Sequence, residues 1–96
     1  MGMSSDHWIA QHEGHKIEVE AYLGGFLTGG CSLFVDDVRV DSVPHFKSTF
    51  SAFTLRHTLK VGERDQVICV QIRQRLIRTE ASLSIDGRAV AMKKDA

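Results

Sequence analysis

The stretch "HKIEVEAYL" (15–23) carries the pattern that decides the fold. Apolar and polar residues alternate along it one for one. The apolar set is Ile17, Val19, Ala21 and Leu23, and the polar set is Lys16, Glu18, Glu20 and Tyr22. Because successive side chains of a β-strand point to opposite faces, this period of two predicts a strand with one buried face and one solvated face.

The same period of two recurs along most of the chain. It covers 53–61 and continues in 67–78, the longest candidate strand. The dipeptide Asp86-Gly87 suits a type I′ turn and predicts a closing hairpin, and Asp36-Asp37 predicts another tight turn. No window keeps helical spacing. We therefore predict an all-β fold, an antiparallel β-sandwich of about seven or eight short strands.

Length and composition fit one globular domain. The 96 residues are 43% hydrophobic and 25% charged, which is ordinary for a folded protein and leaves no room for a second core. We expect one domain over 1–96, with residues 1–6 and 93–96 as disordered tails. Residues 42–52, around Pro44, are the least periodic and are expected to form a short turn or an irregular crossing.

Two segments of the chain resemble each other. "HKIEVE" and "SLFVDDVRV" (within 15–40) match "QVICVQ" and "SLSIDGRAV" (within 66–90), with Asp36 aligned on Asp86. Two similar three-strand units, stacked face to face, would bury each other's apolar faces. Chance is the alternative, because an apolar strand that ends in an Asp turn is common in hairpins.

The net charge is zero, yet the two halves differ. Residues 1–48 carry 3 Lys/Arg against 7 Asp/Glu, whereas residues 49–96 carry 9 against 5. Zero net charge disfavours a general attraction to nucleic acid or to an anionic membrane. The split predicts either neighbouring acidic and basic strands or a self-complementary surface that forms a dimer.

Four short motifs resemble the domain of the Fas apoptotic inhibitory molecule family. They are "EGHKIEVE" (13–20), "LFVDD" (33–37), "LKVG" (59–62) and "LSIDGRAV" (83–90), and the resemblance spans about residues 8–92. It implies a non-catalytic β-sandwich of short antiparallel strands, with roles in cell-death signalling and in protection against protein aggregation. The chain departs from the family in having Asp37 where the family has Gly, and in holding one such domain instead of two.

The stretch "LGGFLTGGC" (23–31) has the glycine spacing of a phosphate-binding loop between Gly24 and Gly29. The lysine and the hydroxyl residue of that motif are missing, since Gly30 and Cys31 follow. We interpret the stretch as a strand connection. Phe26 at its tip is a candidate contact for a partner, or it folds back on the edge of the core.

Cysteine and histidine residues suggest a second kind of site. Cys31 with His12 and His15 could form a small metal- or thiol-dependent centre, although no recognised ligand spacing is present. His57 falls at an inward strand position, which is typical of a core histidine. We predict no catalytic residue, no metal and no cofactor, and we keep the Cys31 centre as an alternative.

The strongest candidate for binding is basic. Arg73, Arg75 and Arg78 lie close together in the sequence, and Arg73 and Arg75 share one face of the predicted strand. They could bind an acidic protein, a second copy of the chain, or nucleic acid phosphates. Nucleic acid is disfavoured because no aromatic residues interleave with the arginines. Otherwise the arginines form a solvated strand face, or pair across strands with Glu18 and Glu20.

These observations predict a non-enzymatic interaction module that binds an unknown protein partner or itself. A weak nucleic-acid binder through the three arginines is the further alternative. No apolar run reaches the roughly 18 residues of a membrane-spanning helix, so no membrane association is expected. No secretory signal is recognised at the start of the sequence, and the two cysteines are too few for a disulfide framework, so we expect a cytoplasmic protein.

Overall fold

The computed structural model describes residues 4–23, 28–47, 52–74 and 79–94, and within them it contains β-strands and turns without helix. Nine strands follow one another along the chain. They are β1 (Ser4–His12), β2 (His15–Leu23), β3 (Thr28–Val35), β4 (Val38–Lys47), β5 (Ala52–Val61), β6 (Arg64–Gln74), β7 (Thr79–Ile85), β8 (Arg88–Val90) and β9 (Lys93–Lys94).

The strands form two antiparallel sheets that pack against each other. The five-stranded sheet has the order β4-β3-β2-β1-β9, and the four-stranded sheet has the order β5-β6-β7-β8. Each sheet therefore contains four consecutive strands that pair in chain order. The predicted all-β antiparallel sandwich is confirmed, and β6 is the longest strand, as its long alternating pattern predicts.

The core lies between the two sheets and consists of the inward positions of the alternating strands. Ile17 and Val19 from β2 face Ile68 and Val70 from β6, and all four are fully buried. Each such aliphatic side chain stabilises the fold by roughly 1.5–3 kcal/mol relative to an exposed one. His57 lies in register with Ile68 and is half-buried, in agreement with its expected inward position.

The hairpin turns depend on left-handed backbone. Glu13 and Gly14 have φ angles of 48° and 82°, and Asp86 and Gly87 have 52° and 81°. Two consecutive positive φ values are the geometry of a type I′ turn, whose twist matches that of the strands. The predicted type I′ turn at Asp86-Gly87 is thus confirmed. Asp37 takes the second left-handed position of its turn at 69° without being glycine.

The two meanders use the same hydrogen bonds at one turn. The Asp36 N–H donates to the carbonyl of Lys16, and the Asp36 carboxylate accepts the Lys16 N–H, at 2.9 and 3.0 Å. Asp86 makes both contacts with Val67, at 2.9 and 2.8 Å. Each aspartate follows one strand and forms hydrogen bonds to the strand before that one in the chain. Asp36 follows β3 and bonds to β2, and Asp86 follows β7 and bonds to β6. The internal repeat itself stays a prediction.

The chain passes from one sheet to the other between β4 and β5, which are edge strands. Asp41 on β4 accepts the backbone N–H of Arg56 on β5 at 2.8 Å, and its other oxygen accepts the N–H of Ser42 at 2.9 Å. One carboxylate thus joins the two sheets along this side. The bond also occupies an N–H that β5 would otherwise expose at its edge.

Two local predictions differ from the structure. Strand β4 extends through Pro44 to Lys47, where a short turn or an irregular crossing was expected. The β3–β4 register shifts between Gly29 and Cys31, so that Pro44 lies opposite the shift. A proline without an N–H is tolerated at such a bulge on an edge strand.

Parts of the expected disordered tails are strands instead. Residues 4–6 belong to β1, and 93–94 form β9 on its outer side. The Lys94 ammonium lies 3.1 Å from an Asp6 carboxylate oxygen and 5.9 Å from the centre of the Trp8 ring. An ion pair and a cation–π contact therefore hold this two-residue strand.

The core position of Ile68 can be tested against its neighbour. We expect Ile68→Ala to lower the free energy of unfolding by about 2–5 kcal/mol, because it empties a fully buried site. Val67→Ala, on the opposite face and 46% exposed, should change it by less than about 1 kcal/mol. Urea unfolding followed by circular dichroism measures both. Equal losses would contradict the assigned faces of β6.

The link between the sheets at Asp41 gives a second test. Asp41→Ala should lower the free energy of unfolding by about 1–3 kcal/mol, because two backbone N–H groups lose their acceptor. Glu20→Ala, an exposed acidic residue at a mid-strand position of the same sheet, is the matched control and should have little effect. Loss of amide exchange protection at Arg56 in the Asp41 variant would identify the cause.

Candidate functional site

One arginine of the predicted basic site, Arg73, lies on the outer face of the four-stranded sheet. Arg73 is exposed on β6, and Arg56 is exposed on the same face of the neighbouring strand β5. In the register Arg56 lies opposite Cys69, four residues along β6 from Arg73, which is about 13 Å at the rise of a strand. Neither guanidinium forms an ion pair within the part of the chain that the structure describes.

The surface between these two arginines is polar and without charge. Its side chains are those of Thr54, Cys69, Gln71, Ser82 and Ser84. They are short or uncharged, and Glu80 on β7 lies directly opposite Arg73 on the same face. Within the described residues no aromatic side chain lies on this face, because Phe53 is in register with the inward Ile72.

The alternative in which Arg73 pairs across neighbouring strands with Glu18 or Glu20 is wrong. The two glutamates lie on β2 in the five-stranded sheet, whereas Arg73 lies on β6 in the other sheet. Glu18 is also not simply solvated, because it accepts a 2.8 Å contact from His7 Nε2 and lies 3.4 Å from the Lys16 ammonium. Arg73 and the two glutamates therefore lie in different sheets.

Three residues of the predicted site cannot be placed. Phe26, Arg75 and Arg78 lie outside the described residues, as does Gly24. Gly29 lies within β3, in register with Leu23 and Phe46, so the second glycine of the phosphate-loop spacing belongs to a paired strand. Arg73 is the one member of the predicted set of binding residues that the structure locates.

The structure does not bring Cys31 and the histidines together. Cys31 is buried in the core and lies opposite Ala21, six residues along β2 from His15, which is about 20 Å. Burial raises the pKa of the Cys31 thiol, and the backbone hydrogen bond with Val43 offsets only part of that rise. A protonated, enclosed thiol is a poor nucleophile and a poor metal ligand.

The histidines have structural partners of their own. His12 Nε2 lies 2.9 Å from Gln66 Oε1, and His15 Nδ1 lies 2.6 Å from an Asp36 carboxylate oxygen. Across the described ranges there is no group of three His, Cys, Asp or Glu side chains placed to hold a metal ion.

An exposed charge cluster surrounds the first aspartate turn. The Lys16 ammonium lies 2.7 Å from Asp37 and 3.4 Å from Glu18, and these two hydrogen bonds raise the pKa of the lysine. The hydrogen bond from His15, followed by the one from the Lys16 N–H, lowers the pKa of Asp36. The bond from Lys16 lowers the pKa of Asp37. The cluster is satisfied internally and stabilises the turn.

A polar cleft at one end of the sandwich was missed by the sequence analysis. It opens between the two sheets beside the Glu13-Gly14 turn and has a volume of about 580 Å³. Gln66, at the bottom of the cleft, is only 8% exposed and lies at an inward position of β6. Arg64, Arg88 and Glu13 are exposed at the rim. The signal that could have found it was a polar residue two places before Ile68, at a position where alternation demands an apolar one.

The described part of the chain contains no helical segment with the length and apolar character needed to span a bilayer. No protein-family model matches the sequence, and no curated protein and no solved structure shows significant similarity to it. The resemblance to the Fas apoptotic inhibitory molecule family therefore stays a prediction.

The lowered pKa of Asp36 predicts a dependence of stability on pH. A carboxyl group whose pKa is lower in the folded chain than in the unfolded chain stabilises the fold at pH values above its ordinary pKa near 3.8. That contribution is lost as the pH falls through the pKa of the folded state. Asp36→Asn keeps an acceptor and tolerates positive φ. We expect the variant to be less stable than the wild type at pH 6, with a difference that shrinks in acid below about pH 3.8. A difference that is constant between pH 6 and pH 2 in thermal unfolding would be inconsistent with the ion pair.

Proposed function

We propose that this protein is a non-enzymatic interaction domain that binds an acidic protein surface through the outer face of its four-stranded sheet. The observation that carries the proposal is the pair of exposed guanidinium groups of Arg73 and Arg56, which lack an ion pair within the described residues. Lys16, Arg64 and Lys94 each lie within 4 Å of a carboxylate, whereas Arg39, Lys60, Arg88 and Lys93 form no ion pair within the described residues. The proposal therefore rests on the fact that Arg73 and Arg56 share one face.

The chemistry of the face favours a protein partner. Arginine presents a planar donor fork that matches a carboxylate in two parallel hydrogen bonds, and it loses less hydration than lysine on burial. The short or uncharged side chains of Thr54, Gln71 and Ser82 share the face with the two guanidinium groups, so a partner surface could contact both arginines at once. Nucleic acid is less well supported, because single-stranded bases need aromatic platforms and the described part of this face has none.

Self-association is the second candidate, and the distribution of charge supports it. Residues 1–48, which contain β1 to β4 of the five-stranded sheet, carry seven acidic and three basic residues, and β9 adds Lys93 and Lys94 to that sheet. A contact between this sheet and the basic sheet of a second copy would join two different surfaces. Such a contact is heterologous and forms a chain or a ring, whereas a two-fold dimer through either face would oppose like charges.

A salt-dependent binding experiment tests the proposal. The probe is a fluorescent oligoglutamate peptide, titrated with the protein at low ionic strength and again at roughly 0.3 M salt, where screening shortens electrostatic reach to below about 8 Å. We expect saturable binding at low salt that weakens at high salt. Arg73→Glu and Arg56→Glu should each weaken it by about tenfold, because each replaces an attraction by a repulsion.

Arg39→Glu is the matched control, since Arg39 is an exposed arginine opposite Phe34 on the other sheet. Its affinity for the peptide should stay within about twofold of the wild-type value, and that small change reports the effect of net charge alone. Equal weakening by all three variants would reduce the effect to net charge and overturn the proposed face. Sedimentation of the unlabelled protein at both salt concentrations reports self-association, which Arg73→Glu should abolish if the sheets of two copies meet.

A further inference from the structure

We propose that the cleft between the two sheets beside the Glu13-Gly14 turn binds small amphipathic carboxylates. The proposal concerns a different surface from the basic sheet face and does not depend on it. The cleft is about 580 Å³ in volume, which is within the range of small-molecule sites. Its walls come from both sheets, from His12 and Glu13 on one side and from Gln66 and Arg88 on the other.

Gln66 is the residue that indicates a ligand. Its side chain lines the cleft although the residue is only 8% exposed, and its carbonyl Oε1 lies 2.9 Å from His12 Nε2. The amide Nε2, which carries two N–H donors, has no protein acceptor within the described ranges. An amide held at such depth is costly unless an acceptor meets it, so the cleft presents donors to an incoming oxygen.

The charged residues at the rim of the cleft determine which kind of ligand oxygen is favoured. Arg88 forms no ion pair within the described part of the chain, and Arg64 lies a long 3.8 Å from Glu13. Two carboxylates also border the cleft, and one of them, Asp86, already accepts the Val67 N–H. The two cations and two anions balance, so the donor available to a ligand oxygen is the Arg88 guanidinium, which has no carboxylate partner of its own among the described residues. The two carboxylates would repel a phosphate dianion more strongly than a monoanionic carboxylate, which favours the latter.

A second cavity supplies the place for an apolar body. It has a volume of about 570 Å³ and is lined by Ile9, Ala10, Gln11, Ala91, Met92 and Lys93. Its lining residues are next in sequence to those of the polar cleft, since Gln11 precedes His12 and Ala91 follows Val90. The two linings are therefore neighbours along both segments of the chain. A ligand with its carboxylate at Gln66 and Arg88 would place a short aliphatic chain against Ala10 and Met92, where burial of apolar area stabilises it.

Titration with hexanoate, followed by proton–nitrogen correlation spectra of the full chain, tests the site. We expect saturable shifts of the Gln66 side-chain amide and of the backbone amides of Ala10, His12 and Met92, with a dissociation constant on the order of millimolar. Acetate should shift Gln66 and not Met92, and hexanol should shift Met92 and not Gln66. Inorganic phosphate should bind more weakly than acetate.

Two variants separate the site from general effects. Arg88→Gln removes an exposed charge at the rim and should weaken hexanoate binding by about tenfold. Gln66→Met keeps the volume of the side chain and removes the donors, and it should abolish the preference for hexanoate over hexanol. Arg56→Gln, on the basic sheet face, is the control and should bind hexanoate as the wild type does.

The outcomes that overturn the proposal are specific. A carboxylate site would be excluded if hexanoate caused no saturable shifts, or if Arg88→Gln bound hexanoate as tightly as the wild type. Arg88 is exposed, so the Arg88→Gln variant is expected to fold and to keep the test valid even if Gln66→Met does not fold. Equal binding of phosphate and hexanoate would show an adventitious anion site only. Arg73 and Arg56 take no part in the cleft, so a failure of hexanoate to bind would leave the oligoglutamate result unaffected. A failure of oligoglutamate to bind would likewise leave the hexanoate result unaffected.

Discussion

The mutual burial of two apolar sheet faces is the constraint on which the rest of this structure depends. Each β-meander is apolar on one side only, and Ile17, Leu33, Ile68 and Leu83 lie where those sides meet. Neither meander has a helix or a third layer to cover it within the described residues. Because a single twisted sheet leaves its apolar face in water, each meander needs the other. The link from Asp41 to the N–H of Arg56 then fixes the sheets along one side.

The same constraint decides where binding chemistry can lie. Inward positions are occupied by the core, so charged groups are confined to the two outer faces and to the ends of the sandwich. The outer faces differ because the acidic half of the chain forms β1 to β4 of one sheet, whereas the basic half forms the whole of the other sheet and adds β9 to the first. At one end the apolar packing stops at His12 and Gln66, and a polar bridge replaces it. The basic face and the cleft are therefore separate surfaces with separate chemistry.

Much of the fold could be predicted because period-two alternation is a local signal. Residues 15–23 and 53–61 form strands where the pattern placed them, and Asp86-Gly87 forms its turn because few residues tolerate two positive φ values. The strand through Pro44 could not be predicted, because a proline is tolerated there only by an edge position and a bulge, and these depend on the pairing with β3. The site was less predictable. Which sheet holds Glu18 and which holds Arg73 is a matter of topology, and the depth of Gln66 depends on packing from both sheets.

Amide hydrogen exchange measured site by site tests the central claim most directly. If the two sheets are stable only against each other, the slowest amides of β2 and of β6 exchange with the same free energy, and that value equals the free energy of global unfolding. Ile68→Ala, which alters one sheet, should then lower the exchange free energy of both strands by the same amount. Exchange of β2 through an opening well below that of β6, or an effect of Ile68→Ala confined to β6, would contradict the account.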